Sequence, residues 1–229
     1  DIASGKVEQL TSGAHDELLP AWSPDGKLIA YVTKRGIDPD RHLNFDLYAI
    51  EPRAGAKERQ LTTFTGSDLD PYWETRPAWS PDSKRIAYLR SGEDKWIYYA
   101  PWQLAVVDLA TGKETIPADI DRCFYKPRWS PDGKSLYALI EQSLVTRLSR
   151  IDLADGKVTD LTHGDRFDYD LDVSANGRLM VLGGDDHRPY EVSAVDADGL
   201  RALGKHNEWL AEKRLADVEK IRFRNKEGT

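Results

Sequence analysis

The sequence predicts an all-β protein of the β-propeller class, and three observations carry that prediction. A seven-residue phrase recurs as Pro20-Ala21-Trp22-Ser23-Pro24-Asp25-Gly26, Pro77-Ala78-Trp79-Ser80-Pro81-Asp82-Ser83 and Pro127-Arg128-Trp129-Ser130-Pro131-Asp132-Gly133, with a worn copy at Leu171-Asp172-Val173-Ser174-Ala175-Asn176-Gly177. From Trp22 to Trp79, Trp129 and Val173 the steps are 57, 50 and 44 residues, periods that mean a stacked array of similar units. Short apolar runs bounded by Gly, Pro, Asp and Ser follow each copy, which is the pattern of strands rather than helices. Four runs per unit match one propeller blade.

The elements follow in order. The first unit carries Leu28-Ile29-Ala30-Tyr31-Val32, Leu47-Tyr48-Ala49-Ile50 and Arg59-Gln60-Leu61-Thr62. The second carries Ile86-Ala87-Tyr88-Leu89 and Leu104-Ala105-Val106-Val107, and the third Leu136-Tyr137-Ala138-Leu139, Leu148-Ser149-Arg150-Ile151 and Val158-Thr159-Asp160-Leu161-Thr162. The fourth has Leu179-Met180-Val181-Leu182 and Val192-Ser193-Ala194-Val195. Units starting near 14, 70, 121 and 165 thus make a partial propeller over 1–207, with 208–229 as a linker and a further strand at Val218-Glu219-Lys220-Ile221-Arg222-Phe223-Arg224.

The phrase itself has a physical basis. Pro24 presets the first corner of a tight turn, Asp25 can cap it, and Gly26 accepts a positive φ. The Trp before the turn is a large flat side chain suited to the space between blades, and its repeat spacing favours that role over stacking on a cofactor or a base. Each of Trp22, Trp79 and Trp129 is therefore expected to be buried between blades.

Asp1-Ile2-Ala3-Ser4-Gly5-Lys6 matches Asp108-Leu109-Ala110-Thr111-Gly112-Lys113 and Asp152-Leu153-Ala154-Asp155-Gly156-Lys157, which precede a blade's closing strand. Val7-Glu8-Gln9-Leu10-Thr11 then reads as an orphan closing strand, there is no initiator Met, and the chain is expected to be a fragment of a seven- or eight-bladed propeller. Units in such arrays are stabilised by their neighbours, so the first one, around Trp22, is expected to be the weakest.

Lys and Arg number 32 against 39 Asp and Glu, a formal charge of −7. That balance argues against nucleic-acid binding through basic charge. No apolar run approaches a membrane span, so no membrane partner is expected. The single Cys123 excludes an internal disulfide and leaves the compartment open.

The Trp-Ser-Pro-Asp-Gly units, the Gln60-Leu61-Thr62 and Asp160-Leu161-Thr162 strand ends, the Asn207-to-Leu210 junction and Lys226-Glu227-Gly228-Thr229 together resemble a prolyl oligopeptidase-family serine peptidase. The acylaminoacyl-peptidase and dipeptidyl-peptidase-like branch is the nearest, with Asp38-Pro39-Asp40-Arg41, Trp96-Ile97-Tyr98-Tyr99-Ala100 and Ile120-Asp121-Arg122 adding to the likeness. Tol-type periplasmic propellers share the blade motif. The resemblance implies a propeller that gates and guides short peptide substrates toward an α/β-hydrolase domain in cis, with Lys226-Glu227-Gly228-Thr229 resembling the turn where that domain begins. A nucleophile elbow needs Gly-x-Ser-x-Gly, which Ser12-Gly13 and Ser91-Gly92 do not supply, so the segment is expected to hold no catalytic residue and to be inert alone. The cytoplasm is read ahead of the periplasm, no cofactor or metal is expected, and a homo-oligomer is compatible with the sequence.

Asp121 and Arg122 are the candidate substrate-binding pair. They lie between a closing strand and the next Trp strand, where a guanidinium could grip a substrate carboxylate bidentately; the competing reading is an Asp–Arg contact between blades. Tyr98, Tyr99 and Trp102 line the same rim or belong to the core. Asp165, Asp168, Asp170 and Asp172 resemble a calcium loop, but Val173 stands where the sharp-turn glycine belongs, so a solvated strand face is preferred. Asp185-Asp186-His187 beside Gly183-Gly184 reads as an exposed loop rather than a metal site. Cys123 reads as a small buried hydrophobe. Two further classes compete with the peptidase propeller: a free-standing Tol-type interaction scaffold, and a propeller enzyme with a site in its channel, for which no carboxylate pair is visible.

Overall fold

The computed structural model describes all residues except 1, 2, 37, 71, 73, 97, 98, 227 and 229. Sixteen strands form four consecutive antiparallel meanders. Blade 1 holds β1 (Glu17–Trp22), β2 (Ile29–Thr33), β3 (Asp46–Ile50) and β4 (Arg59–Gln60), and blade 2 holds β5 (Ala78–Trp79), β6 (Arg85–Arg90), β7 (Gln103–Asp108) and β8 (Glu114–Thr115). Blade 3 holds β9 (Phe124–Trp129), β10 (Ser135–Gln142), β11 (Val145–Asp152) and β12 (Val158–Asp160). Blade 4 holds β13 (Phe167–Val173), β14 (Leu179–Asp185), β15 (Arg188–Asp196) and β16 (Gly199–Ala202). A single parallel pairing, Thr146 with Phe167, joins blades 3 and 4. The four-bladed array is open, as the repeat predicts.

Each repeat phrase folds as the same turn. The Ser23 hydroxyl donates to Asp25 Oδ1 at 2.8 Å while accepting from the Leu28 amide at 2.9 Å. Ser80 with Asp82 and Ser130 with Asp132 repeat the contact, both at 2.6 Å. In the worn copy Asn176 stands in for the aspartate, accepting from Ser174 at 2.6 Å. These hydrogen bonds, with the amide of Lys27, Lys84 or Lys134 behind them, hold the Asp25, Asp82 and Asp132 carboxyls below their ordinary range.

The innermost strands are edge strands, which is why they tolerate Pro20, Pro77 and Pro127. Two of them bulge just before the proline. Leu19 and Lys126 occupy equivalent places and both are left-handed, at φ 54° and 51°, a conformation that costs a side-chain-bearing residue about 1–2 kcal/mol. The register slips at the same points.

Burial between blades supplies the driving force. Ala30, Val32, Leu47 and Ala49 of blade 1 face Leu69, Trp79, Ile86 and Tyr88. Leu104 and Val106 of blade 2 face Phe124, Trp129, Leu136 and Ile140 of blade 3, and Leu139 and Leu148 face Leu171 and Val181 of blade 4. Trp79 and Trp129 are 8% and 7% exposed, as expected. Each indole Nε1 donates to the alanine carbonyl before the preceding blade's Trp, Ala21 at 2.9 Å and Ala78 at 2.8 Å.

Three expectations need correction. Trp22 keeps its strand position but is 60% exposed: a Trp docks on the blade before its own, and no blade precedes blade 1 among the described residues. Val7–Thr11 forms no strand, and Val7 is exposed, because an isolated closing strand has no ladder to join. Val218–Arg224 is likewise irregular, with Ile221 and Phe223 exposed; its alternation has no sheet face to bury against here.

Candidate functional site

The four innermost strands run side by side toward the axis of the array. Their Trp ends converge on a depression of about 650 Å³ floored by Pro20, Trp22, Pro77, Trp79, Trp129 and Val173, with Arg76 and Arg128 among its lining. The repeat puts the same proline–tryptophan step at three of its walls and Val173 of the worn copy at the fourth, so the hollow is a direct product of the sequence period.

Further along the strands the wall becomes polar. The bulge at Lys126 carries its side chain across to blade 4, where Nζ donates to the Tyr169 carbonyl at 3.0 Å and lies 4.2 Å from the Tyr169 ring centroid. Glu74 and Asp170 stand 3.7 and 3.6 Å from the same ammonium. Only 11% of the Lys126 side chain is exposed, so the charge is mostly desolvated but well partnered. Tyr169 stacks on Tyr190 at 5.4 Å, and both are about half exposed. The arrangement leaves the half-exposed Glu74 and Asp170 carboxylates and the Tyr169 and Tyr190 rings accessible, with the Lys126 ammonium holding them from behind.

Asp121 and Arg122 lie at the opposite end, in the segment entering β9, and both are exposed. Arg122 donates to the backbone carbonyl of Asp121. Among the described residues no ion pair joins the two side chains or ties Arg122 to a neighbouring blade. Tyr99 is 84% exposed, whereas Trp102 is buried between the Tyr72 and Tyr125 rings; Tyr98 lies outside the described residues. Cys123 is half-buried, and burial raises its thiol.

The four alternating aspartates do not share a solvated face. Asp168 is buried, held by Arg166 at 2.6 Å, by the Leu148 amide at 3.1 Å and by the Thr162 hydroxyl. Asp170 serves Lys126, and Asp165 accepts from Lys220. Asp185 caps the β14–β15 turn and pairs with Arg188 at 2.7 Å, as a loop reading requires. No cluster fit for a metal ion occurs among the described residues. Lys126 and Tyr169 were not singled out by sequence, since their contact spans 43 residues and depends on a bulge; the charged residue before Pro127 was the one visible signal.

No protein-family model matches the chain. Dipeptidyl-peptidase 5 of Porphyromonas gingivalis is 32% identical over 164 residues, 70% of this chain and 23% of that protein. The Tol-Pal system protein TolB of Francisella tularensis is 27% identical over 202 residues, 87% of this chain and 42% of that protein. The chain thus spans less than half the length of either relative. Among solved structures, the β-propeller domain of the Trilobed protease from Pyrococcus furiosus superimposes with a TM-score of 0.62 at 18% identity, over 82% of this chain and 52% of that one, and shares the fold. Repeat, open array and sequence relationship agree, and the chain belongs with the β-propeller portions of prolyl oligopeptidase-family peptidases.

Proposed function

We propose that the chain is the gating and substrate-guiding propeller of a prolyl oligopeptidase-family serine peptidase, acting on short peptides that an α/β-hydrolase domain in cis cleaves. The observation that carries this reading is the 32% identity to a dipeptidyl peptidase across the blades, in a chain whose inner wall presents charged and aromatic groups to an extended ligand. In this reading Arg122, exposed and without a carboxylate partner among the described residues, takes a peptide carboxylate, with Asp121 beside it. The sequence has no Gly-x-Ser-x-Gly, so catalysis belongs outside it. No helix is long and apolar enough to cross a membrane among the described residues. The peptidase reading goes with the cytoplasm.

The likeness to TolB over 87% of the chain supports a second reading, a periplasmic interaction scaffold. The two separate on one experiment: the isolated 229-residue chain and its full-length gene product are compared on aminoacyl- and acyl-peptide chromogenic substrates. The first reading expects no turnover by the isolated chain, turnover by the longer protein, and a KM raised with kcat nearly unchanged by Arg122→Ala. A longer protein that cleaves nothing leaves the scaffold. Turnover by the isolated chain that is lost on mutating one of its own residues would overturn the assignment of catalysis to another domain.

A further inference from the structure

We propose that the Asp68 carboxyl, sealed between blades 1 and 2 beside Asp46 and Glu114, is a proton-dependent latch: protonated, it lets the two blades close on the segment 66–70, and ionised, it loosens that contact.

Thr62 follows the last strand of blade 1 and Asp68 comes six residues later, just as Thr162 follows the last strand of blade 3 and Asp168 comes six residues later in β13. Each threonine hydroxyl accepts from the amide of the equivalent strand residue, Leu47 at 2.9 Å and Leu148 at 3.0 Å. Asp168 is a satisfied buried carboxylate, because Arg166, two residues before it, forms the ion pair. The residue two before Asp68 is Gly66. A side chain cannot be placed there: a Cβ would stand 2.1 Å from the Gly92 carbonyl oxygen and 2.6 Å from the Phe64 ring. The fold has therefore built the same aspartate without its counter-ion.

What surrounds Asp68 does not replace that arginine. The residue is 2% exposed, and neither carboxyl oxygen has a donor in hydrogen-bonding geometry among the described residues, the Thr62 hydroxyl standing only near enough to favour the ionised form in part; Asp46 Oδ1 is also unpartnered. From β3 comes Asp46, with Tyr48 next to it; from β4, Gln60, which donates to Asp46 Oδ2 at 3.1 Å. From β6 come Tyr88 and Arg90, and from β8 Glu114, which accepts from the Tyr88 hydroxyl at 2.6 Å. The Arg90 guanidinium is committed to Glu114 at 3.6 Å and to the Phe64 ring at 4.5 Å. Burial, then the negative charges of Asp46 and Glu114, push the Asp68 carboxyl well above the carboxylate range, with Thr62 and Arg90 offsetting only part. Burial and Glu114 raise Asp46 to about 6.

The position makes the charge mechanical. The Asp68 amide donates to Phe45 of blade 1 at 2.7 Å, and Ser91 of blade 2 donates to the Ser67 carbonyl at 2.8 Å. Gly66 bridges Glu93. An ionised Asp68 thus repels carboxylates on both sides from a segment that hydrogen-bonds to both blades.

The sign follows from linkage. A carboxyl raised in the folded state binds its proton more tightly than in the unfolded chain, so stability is greatest below the unfolded value of about 4 and falls as pH rises through the folded value. Melting of the 229-residue chain and of its Asp68→Asn variant is measured from about pH 4 to about pH 8. The variant is expected to match the native chain at the acid end and to exceed it by about 3 °C or more at the alkaline end, where the native carboxyl carries its charge. In parallel, hydrogen exchange at the Asp68 and Ser91 amides, corrected for the intrinsic pH dependence, is expected to accelerate with pH in the native chain and not in the variant, while Leu161 in blade 3 stays unchanged in both. A melting gap independent of pH overturns the proposal. So does equal exchange in both proteins. If the variant does not fold, carbon-13 NMR of the Asp68 carboxyl in the native chain decides: titration above pH 6 supports the latch, and titration near 4 overturns it.

Discussion

Trp22, Trp79 and Trp129 share one place in the repeat but not one energetic role. Trp129 is buried, donates to Ala78 and is covered by the Arg85 guanidinium 4.6 Å from its ring centroid. Replacing it with Phe removes the hydrogen bond to a partly buried carbonyl and leaves space beside it, so Trp129→Phe is expected to destabilise by about 2 kcal/mol. Trp22→Phe is expected to change stability by less than about 0.5 kcal/mol, because the ring is mostly in solvent already. Chemical denaturation of both variants checks this; equal losses would mean the repeat position, and not the neighbouring blade, sets the effect. The sequence made these Trp positions legible through their spacing. It did not show which would be covered, since coverage belongs to the preceding blade and not to the phrase. The buried aspartates were half legible in the same way. The matched Thr–Asp spacing is written in the chain, but the difference between Arg166 and Gly66 acquires meaning only once Gly92 is seen to close over the glycine. Arg122 was legible as an exposed cation; Lys126 was not, because the bulge that turns it toward Tyr169 has no fixed sequence signature.

At the scale of single elements, the Ser-Pro-Asp-Gly turn was the most readable part of the molecule, because each residue has a separate local task. Gly133 closes the third turn at φ 67°, and a Cβ there would meet only Arg85 Nη2 at 3.5 Å and Pro81 at 3.8 Å, which are ordinary contacts. Backbone strain alone therefore sets the cost of Gly133→Ala, about 1–2 kcal/mol, and a fall in Tm of about 2–8 °C is expected by calorimetry. Ser83 already occupies the equivalent left-handed position at φ 59°. A loss at Gly133 below a few tenths of a kcal/mol would show that this turn tolerates the strain. The strand runs within blades were also legible, since β-branched and aromatic residues alternate with turn formers. Val7–Thr11 and Val218–Arg224 have the same composition and form no strand. A strand is completed by its neighbour's backbone hydrogen bonds, and among the described residues neither segment is paired with a strand.

For the whole molecule, blades 1 and 4 each have a single neighbouring blade among the described residues, and burial favours blade 1 of the two. In blade 1 all five residues of β3 are buried and four of five in β2. Its outer side is covered by Leu10 and Ala56 against Tyr31, Tyr48 and Ile50. A clamp closes over them: Arg35 reaches Glu58 at 2.7 Å and Glu17 at 3.3 Å, and the Tyr31 hydroxyl donates to Glu58 at 2.8 Å. Blade 4 has a thinner cover among the described residues: the stretch 207–215 lines a hollow beside β15, and the Asn207 amide donates to Glu191 at 3.0 Å. β15 contains no fully buried residue, and Met180, Tyr190 and Val192 are each more than two-fifths exposed. Arrays of this kind lose stability unit by unit from the least supported side. Hydrogen exchange on the 229-residue chain is therefore expected to give the slowest amides in β6, β7, β10 and β11, an intermediate set in β2 and β3, and the fastest strand amides in β15 and β16. Covering the exposed side of blade 4 is expected to slow β15 first and leave β7 almost unchanged. Protection in β15 equal to that in β7 would mean that the four blades unfold together, and that support from neighbours does not govern the order.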